Sequence, residues 1–339
     1  MKICVIGAGN TGHGISAYLA DKGADVILNT RSQEKADHIN ANGITSAGSV
    51  TGNFKVPATT DLALAVSEAE LIIIMTVANA HKEVAERLKP VLQPNQKVIV
   101  FNSNWGAMQF KQVLGDDIQK KNLIVAETSA QLFVGSIDSQ GVIQFSIKAE
   151  ATICATDSDK TEELIAFTKE YFPQFKKANS IIETTISSTN PVIHVPVVLL
   201  NLARVEQKQD FLFYGDGVSP LAVKMVLALD RERIAVAKAM GCEITDVLSG
   251  INSFWAIKHD NLFDALTKNE TYLKSKGPKT VDHRFLTEDV PYGIAPIAKI
   301  GKIYGVATPH TDHVVALLND LLGDGILEDG VAFAREDFQ

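Results

Sequence analysis

Two groups of polar residues in the second half of the chain have side chains suited to proton transfer and to binding carboxylates. Asn190 and His194 interrupt the otherwise apolar segment from residue 190 to residue 196. Because they are four residues apart, their side chains share one face if the segment is helical. Histidine changes its charge near neutral pH, which suits general acid–base chemistry. The same pattern is also typical of a helix start with Pro191 at the first helical position, and of a hydrogen-bonded core histidine.

The second group is a dense polar run from Asp282 to Gly293, directly before a predicted helix. Arg284 can hold a substrate carboxylate through two parallel hydrogen bonds. Asp289 can fix the tautomer of a histidine and stabilise its protonated form. A loop whose side chains cap the next helix would have a similar composition, so this alternative stays open.

A glycine-rich segment near the start of the chain has the spacing of a dinucleotide-binding turn. An apolar run, Lys2–Ile6, predicts a strand that leads straight into it. Gly7 permits the tight turn, Gly9 lets the backbone approach a pyrophosphate, and Gly12 lets the next helix pack closely. The phosphates would then lie at the N-terminus of that helix. The residues assigned to the cofactor in this segment are Gly7, Gly9, Asn10, Thr11 and Gly12.

The residues that follow the second predicted strand, 24–28, indicate which dinucleotide is bound. NAD enzymes usually place an acidic residue about 20 residues beyond the glycines, where it holds a ribose hydroxyl. This chain has Arg31 and Ser32 there. An arginine can pair with a 2′-phosphate and a serine can add a hydroxyl, so the sequence favours NADP, with NAD as the alternative. The other interpretation of Arg31 is an exposed cation at a helix start.

Strands and helices alternate through the first half of the chain, which predicts an α/β fold with a Rossmann-type, doubly wound parallel sheet. Such sheets bind ligands at the carboxyl ends of their strands. Residues 44–56 are predicted to be a polar excursion, and segments 142–147 and 151–155 to extend the same sheet. The other predicted strands are 70–75, 97–102 and 122–127, and the predicted helices are 33–41, 60–67, 80–91, a helix after residue 107, and 157–171.

Helical periodicity dominates the second half, which predicts an all-α domain. We place a dinucleotide-binding domain at residues 1–184 and a helical domain at 185–339. Pro196 lacks the amide hydrogen that a helix needs, so the first helix is expected to bend just after His194. The predicted helices are 192–206, 220–240, 244–248, 261–269, 293–304 and 311–322.

Composition narrows the range of partners. The chain has 339 residues, of which 46% are hydrophobic, enough for two domains with large cores. A net charge of -8 without a basic run argues against nucleic acid and anionic membranes as partners. The first strand begins directly after Met1, and no apolar run approaches the roughly 20 residues of a membrane span, so we expect a cytoplasmic protein. Cys4, Cys154 and Cys242 are widely spaced, which indicates reduced, buried thiols and no metal site.

Five segments of the second half occur together in one order, and together they resemble the opine dehydrogenases. That family includes octopine and nopaline dehydrogenases and enzymes that make N-(1-carboxyethyl) amino acids. The resemblance covers essentially the whole chain. The segments are residues 190–194, 201–206, 213–220, 228–233 and 288–293.

The resemblance implies a fold and an activity. Family members join a dinucleotide-binding domain to an all-helical domain, as in the 6-phosphogluconate dehydrogenase-like superfamily. They reductively condense a 2-oxo acid, often pyruvate, with the amino group of an amino acid. Carried over by position, the resemblance implies that His194 is the acid/base and Asp289 its partner. It also implies that Asn190 positions the substrate, that Arg284 holds a carboxylate of the oxo acid, and that Trp255 lines the pocket. A homodimer is expected by analogy.

The chain departs from the family pattern after Glu127. Relatives commonly continue with Glu-Thr, a Leu-Pro-aromatic turn and an arginine, whereas this chain has no arginine near Ser136. A second cation for the amino-acid carboxylate is therefore not identified, and Asn104, Lys111 and Gln131 are candidates for the lost polar contact.

Two other functional classes stay open. One is a ketopantoate reductase or glycerol-phosphate dehydrogenase of the same superfamily, which would need a catalytic lysine in the helical half, where Lys224 and Lys238 are available. The other is a non-enzymatic sensor of NADP that keeps the fold.

Overall fold

Runs of isoleucine, valine and leucine form the central strands of the first half, because such side chains fit a sheet that is buried on both faces. The computed structural model describes residues 1–101, 103–323, 330, 331 and 333. By its internal contacts the chain divides into two units, Met1–Thr185 and Ile186–Gln339. Within the described residues the strands are β1 (Lys2–Ile6), β2 (Asp25–Asn29), β3 (Ile44–Gly48), β4 (Gly52–Phe54), β5 (Ala58–Thr59), β6 (Leu71–Ile74), β7 (Lys97–Val100), β8 (Ile124–Thr128), β9 (Phe133–Ile137), β10 (Ile143–Ile147), β11 (Ala151–Ala155) and β12 (Phe175–Lys177).

The main sheet of the first unit has the order β12-β11-β8-β7-β6-β1-β2-β5 within the described residues. The strands from β8 to β5 are parallel, in the order of a doubly wound dinucleotide-binding sheet. The predicted Rossmann-type sheet is therefore confirmed, with an antiparallel addition where β11 pairs with β8. The predicted strand 97–102 ends at Val100, and its last residue, Asn102, lies outside the described residues.

Helices cover both faces of the main sheet, as the parallel arrangement requires. Separate apolar clusters pack on the two faces, and each includes side chains from β1 and β6. In the described part of this unit the helices are α1 (Asn10–Asp21), α2 (Gln33–Asn42), α3 (Leu62–Val66), α4 (His81–Leu88), α5 (Gly106–Leu114), α6 (Asp117–Lys120), α7 (Thr161–Thr168) and, reaching Ile186, α8 (Ile181–Ile186), with short 3₁₀ turns at Ala78–Ala80 and Ser158–Lys160.

A second, smaller sheet corrects two expectations. Its order is β4-β3-β10-β9, so residues 44–56 are not a polar excursion but supply two strands. Strand β10 pairs with β3 and β9, so segment 142–147 does not extend the main sheet, whereas β11 does. Phe145 of β10 lies 3.4 Å from where a side chain on Gly14 of α1 would begin. The second sheet therefore packs on the helix that follows the glycine-rich turn.

The second unit is helical throughout its described residues, as the sequence predicts. Its helices are α9 (Asn190–Leu199), α10 (Leu202–Glu206), α11 (Pro220–Ala239), α12 (Val247–Trp255), α13 (Leu262–Thr267), α14 (Arg284–Thr287), α15 (Ala295–Tyr304) and α16 (Pro309–Leu322), with a 3₁₀ turn at Tyr272–Lys274 and a π-helical turn at Val290–Ile294.

Two helix predictions are wrong in detail. The predicted helix 192–206 breaks at Asn201, where the side-chain amide donates to the carbonyls of Val197 and Gly217. Helix α9 therefore continues past Pro196 and ends five residues later than the predicted bend. The predicted helix 244–248 instead begins at Val247, because the Asp246 side chain accepts the amide of Ser249 and caps the helix there.

Arg233 lies in the core of the helical unit with none of its surface exposed. Its guanidinium donates to Oδ1 of Asp230, with Nε at 2.9 Å and Nη2 at 2.6 Å. It also donates to the carbonyls of Ile186 and Thr245, each at 2.7 Å. The other oxygen of Asp230 accepts the amide of Val247 at 2.9 Å. This ion pair joins helix α11 to the ends of α8 and α12.

The three cysteines are buried and none is part of a disulfide, as the sequence predicts. In the part of the chain that the structure describes, no helix is both long and apolar enough to cross a membrane.

Candidate active site

His194 and Asp289, which are 95 residues apart in sequence, meet inside the helical unit. Nδ1 of His194 lies 2.7 Å from Oδ2 of Asp289. Both residues are buried, with exposed fractions of 5% and 1%. A buried carboxylate at this distance favours the tautomer with hydrogen on Nδ1, and it stabilises the imidazolium when a second proton arrives. The pair has the geometry of a general acid/base and its orienting carboxylate.

The π-helical turn after Asp289 places this carboxylate beside α9. Gly293 in that turn packs on Pro191, and a Cβ on Gly293 would lie 2.4 Å from the Pro191 side chain. The close approach therefore requires glycine. The amide of Asp289 also donates to the carbonyl of Arg284, which fixes the start of the turn. Single π-helical turns occur frequently at functional sites.

Aromatic rings enclose the imidazole of His194. The ring of Phe285 lies with its centroid 4.0 Å from that of His194 at an interplanar angle of 31°. The hydroxyl of Tyr214 lies 3.2 Å from Nε2 of His194. Burial raises the pKa of Tyr214 well above its usual value, so this hydroxyl keeps its proton and donates to the imidazole. The sequence reasoning missed Tyr214 as a site residue, although the segment that contains it, 213–220, contributed to the family resemblance.

The other residues assigned to the substrate lie around the same pair. Asn190 is one helical turn before His194 on α9, and among the described residues its side chain makes no hydrogen bond. Arg284 precedes Phe285 and is 43% exposed, with Nε 3.4 Å from a Glu288 carboxylate oxygen. Trp255 ends α12 and meets the ring of Tyr272 edge-on, with the centroids 5.9 Å apart.

A second histidine lies nearby but has a structural role. The ring of His283 contacts Phe285, with the centroids 4.5 Å apart. Its Nδ1 accepts the backbone amide of Phe285 at 3.3 Å and caps helix α14. Burial, together with the charge of Arg284, lowers the pKa of His283 to about 4, so the ring is neutral at pH 7 and suited to accepting this bond.

The glycine-rich turn of the first unit has the shape that a pyrophosphate needs. Gly7 has a φ of 112°, a conformation that favours glycine. A Cβ on Gly12 would lie 1.8 Å from the carbonyl oxygen of Gly7, so α1 can start this close only with glycine. A Cβ on Gly9 would meet nothing within 4 Å, which leaves open space over the turn. Gly9 has no side chain to cap α1, so the amides that follow it are available to an anion.

Arg31 and Ser32 lie at the carboxyl end of β2. The Arg31 side chain is 74% exposed, with Nη1 3.7 Å from a Glu83 oxygen, a separation typical of a weak surface ion pair. The Ser32 hydroxyl accepts the amide of Lys35 at 3.2 Å and caps α2. Ser32 therefore has a structural role of its own, whereas the guanidinium of Arg31 faces solvent.

A buried carboxylate, Glu127, holds the end of β8 against two other segments. Its Oε2 accepts the amide of Ala107 at the start of α5 at 2.9 Å. Its Oε1 accepts the hydroxyl of Thr184 at 2.9 Å and also that of Thr185. Burial without a cationic partner nonetheless raises the pKa of Glu127 to about 7, because these bonds offset only part of the desolvation.

The turn that Glu127 supports has an unusual backbone. Asn104 and Trp105 have φ values of 58° and 64°, a left-handed conformation that is rare for residues with side chains. Both are buried, and the amide of Trp105 is donated to the hydroxyl of Thr185 at 3.3 Å. The turn lies after β7, at the sheet edge where ligands bind. Such strain persists only where the surroundings enforce it.

We predict that Glu127→Gln changes the pH dependence of stability. The folded protein binds a proton on Glu127 up to about pH 7, whereas an ordinary glutamate has lost it above about pH 4.5. The contribution of this group to the free energy of unfolding is therefore full below pH 4.5 and falls by about 3 kcal/mol as pH rises through 7. Urea unfolding at pH 5 and pH 8 should show a steeper loss for the wild type than for the variant. Parallel losses would contradict this prediction.

The candidate residues of the alternative functions are spread over exposed surface. Lys224 and Lys238 lie on exposed positions of α11. Lys111 is exposed on α5. Neither α11 lysine is near the buried His194–Asp289 pair in its environment, so the helical unit offers a histidine and not these lysines as its enclosed titratable centre.

Two family models match the chain. The model described as NAD/NADP octopine/nopaline dehydrogenase, alpha-helical domain, matches residues 177–322. The model described as Ketopantoate reductase PanE/ApbA matches residues 3–146. The first range corresponds to the helical unit and the second to most of the sheet-containing unit.

Individual relatives match along nearly the whole chain. An opine dehydrogenase of Arthrobacter sp. (strain 1C) is 27% identical over 331 residues, which cover 96% of this chain and 92% of that protein. A structure of octopine dehydrogenase in complex with NADH and agmatine has a TM-score of 0.77 at 20% identity, covering 95% of this chain and 89% of that one. A structure of yersinopine dehydrogenase with NADP+ bound has a TM-score of 0.74 at 13% identity, covering 97% and 92%. These structures share the fold of this chain.

Proposed function

This chain belongs to the opine dehydrogenase family, and we propose that it joins a 2-oxo acid to the amino group of an amino acid by reductive condensation. The oxo acid is pyruvate or a close analogue. The enzyme is then an NAD(P)-dependent oxidoreductase acting on a CH–NH bond. The single observation that carries the proposal is the buried contact between His194 and Asp289.

His194 supplies the proton transfers that this condensation needs. The amino-acid nitrogen attacks only as a free amine, so its ammonium must first lose a proton, which neutral His194 accepts. The carbinolamine that forms must lose water, and the imidazolium returns a proton to the leaving hydroxyl. Asp289 stabilises the imidazolium between these two steps. The reduced nicotinamide, when bound, supplies hydride to the carbon of the resulting C=N bond.

Arg284, Asn190 and Trp255 bind and orient the substrates in this proposal. The exposed part of the Arg284 guanidinium holds the carboxylate of the oxo acid, while Glu288 fixes its other side. The unbonded side-chain amide of Asn190 contacts the substrate on the same face of α9 as His194. Trp255 forms an apolar wall of the pocket.

The glycine-rich turn holds the cofactor. The open space over Gly9 and the uncapped start of α1 fit a pyrophosphate, which accepts hydrogen bonds from the amides of the first helical turn. The residues proposed to contact the cofactor are Gly7, Gly9, Asn10, Thr11, Gly12, Arg31 and Ser32.

We propose NADP as the preferred cofactor, with Arg31 pairing with its 2′-phosphate. Arg31→Ala should then raise the dissociation constant for NADPH about 10- to 100-fold and leave that for NADH nearly unchanged, because only NADPH loses a charged hydrogen bond. Titrating the protein with each nucleotide by fluorescence measures both constants. Arg87→Ala is a matched control, because Arg87 shares the ion-pair partner Glu83 with Arg31. Equal losses for the two nucleotides would argue against the 2′-phosphate contact.

We also propose that residues 1–184 bind the dinucleotide and that residues 185–339 bind the substrates and form a homodimer. Support for a helical dimer interface comes from large apolar side chains that the helical unit exposes, among them Leu221 at 70% and Phe263 at 37%. A cytoplasmic location is consistent with three buried cysteines outside any disulfide. Light scattering of the purified protein measures the oligomeric state.

One assay separates the proposed function from its alternatives. NADPH oxidation by the purified protein is followed with pyruvate plus pooled amino acids, with pyruvate alone, and with ketopantoate alone. Condensation requires both substrates of the first mixture. Activity with ketopantoate alone would indicate the reductase of the same superfamily. A protein that binds NADPH and oxidises it in none of the mixtures would be a sensor, and the proposed function would be wrong.

A further inference from the structure

The proton-accepting nitrogen of His194 faces the hydroxyl of Tyr214. Nδ1 of His194 is bonded to Asp289, and Nε2 lies 3.2 Å from the Tyr214 oxygen. The His194 side chain is only 7% exposed, and Phe285 lies against one face of its ring. A substrate atom therefore cannot reach Nε2 directly unless the Tyr214 hydroxyl moves away.

Packing holds the Tyr214 ring in place. Its ring stacks on that of Tyr272, with centroids 4.4 Å apart and an interplanar angle of 15°. The ring of Phe213 meets it edge-on at 4.8 Å. Moving the hydroxyl out of reach of His194 would break the stacking and expose a side chain that is 93% buried in this structure. Tyr214 is therefore built to stay between the imidazole and whatever approaches it.

We propose that Tyr214 is a catalytic residue that passes protons between the substrate and His194, an inference that rests on the proposed function. The substrate ammonium donates to the Tyr214 oxygen. Its N–H bond breaks and a new O–H bond forms, while the original hydroxyl proton of Tyr214 moves to Nε2 of His194. The electron pair of the broken N–H bond stays on nitrogen, which then attacks the oxo carbon. In the dehydration step both protons move in the opposite direction, the C–O bond of the carbinolamine breaks, and water leaves.

The environment of Tyr214 requires the two protons to move together. Burial and the neighbouring Asp289 carboxylate disfavour a phenolate, so Tyr214 does not first lose its proton and then gain another. The hydroxyl is a donor and an acceptor at once, which is what a relay between an ammonium and an imidazole needs. The net change is one proton on His194 and an unchanged Tyr214.

The relay is tested with Tyr214→Phe, which keeps the ring and removes the hydroxyl. We expect kcat to fall by about 10²-fold, the lower range for loss of a proton-transfer group. The KM values and the NADPH dissociation constant should stay nearly unchanged, because the ring stacking remains. Tyr18→Phe is the matched control, because it removes a buried hydroxyl that bonds the carbonyl of Tyr171 in the first unit. Its turnover should equal that of the wild type.

Solvent isotope effects distinguish a relay from a positioning role. In mixtures of light and heavy water, the wild-type rate should vary with deuterium content along a curve, because two protons move in one step. In Tyr214→Phe the dependence should become linear, with water or substrate acting directly on His194. If Tyr214→Phe fails to bind NADPH, 3-fluorotyrosine at position 214 replaces it, and its more acidic hydroxyl should change kcat while KM stays the same.

Three results would overturn the relay. They are a Tyr214→Phe kcat equal to or above that of the wild type, a curved isotope dependence in that variant, and an unchanged kcat with 3-fluorotyrosine. A higher kcat would identify Tyr214 as an obstruction that substrate displaces. Wild-type protein that does not oxidise NADPH with pyruvate and any amino acid would instead overturn the proposed function, and the relay with it.

Discussion

Replacing His194 with alanine is expected to lower kcat for the condensation by about 10²- to 10⁴-fold, the range found for general acid–base groups. The variant has no group that takes the ammonium proton or returns one to the leaving hydroxyl. NADPH affinity should be unchanged, because the glycine-rich turn belongs to the other unit. Steady-state oxidation of NADPH gives kcat, and fluorescence titration gives the dissociation constant.

Two companion variants sharpen this experiment. Asp289→Asn should also lower kcat strongly, because an amide neither fixes the Nδ1–H tautomer nor stabilises the imidazolium. His38→Ala removes an exposed imidazole from α2 and should leave kcat unchanged. Wild-type kcat in the His194→Ala variant would show that the buried pair is structural.

Replacing Arg233 with alanine is expected to lower the free energy of unfolding by about 3–5 kcal/mol, the cost of breaking a buried ion pair. The change leaves the Asp230 carboxylate buried without its counter-charge, and it removes the donors to the carbonyls of Ile186 and Thr245. Urea denaturation followed by circular dichroism measures the loss. The size of the effect follows from burial, since none of the Arg233 surface is exposed.

The neighbouring arginine provides the control. Arg231 lies on the exposed side of the same helix, so Arg231→Ala should change the free energy of unfolding by no more than about 0.5 kcal/mol. A comparable loss in both variants would indicate that α11 responds to any substitution, and not to the ion pair. A loss below about 1 kcal/mol for Arg233→Ala would mean that water replaces the guanidinium at Asp230.

The parallel sheet was predictable because its strands are buried on both faces. Residues 71–74 are entirely apolar and entirely buried, so their pattern can be recognised without knowledge of their neighbours. The glycine-rich turn was predictable for a similar reason, because close backbone approach excludes every other residue at Gly12.

The second sheet was not predictable from local sequence. Strand β4 has three residues, and β3 includes serine, threonine and glycine, none of which has a strong apolar pattern. These strands are stabilised by pairing with β10, nearly 100 residues later, and by packing on α1. Pairing over such a distance leaves no signal in a window of a few residues.

The site was predictable only in part. His194 and Asp289 were assigned through the family resemblance, since nothing local relates two residues 95 positions apart. Tyr214 was missed because a tyrosine beside a phenylalanine is typical of any core. Glu127 was read as the end of a strand, and its role in holding the Asn104–Trp105 turn depends on hydroxyls contributed from residues 184 and 185.

The ring of Phe285 has a consequence for how His194 can be observed. An aromatic ring shields nuclei that lie over its face, and the His194 imidazole lies 4.0 Å from Phe285 at only 31° from parallel. The carbon-bound protons of this imidazole should therefore resonate upfield of those from solvent-exposed histidines among the eight in the sequence. Nuclear magnetic resonance can then follow the ionisation of this one side chain in the free protein, before any ligand is added.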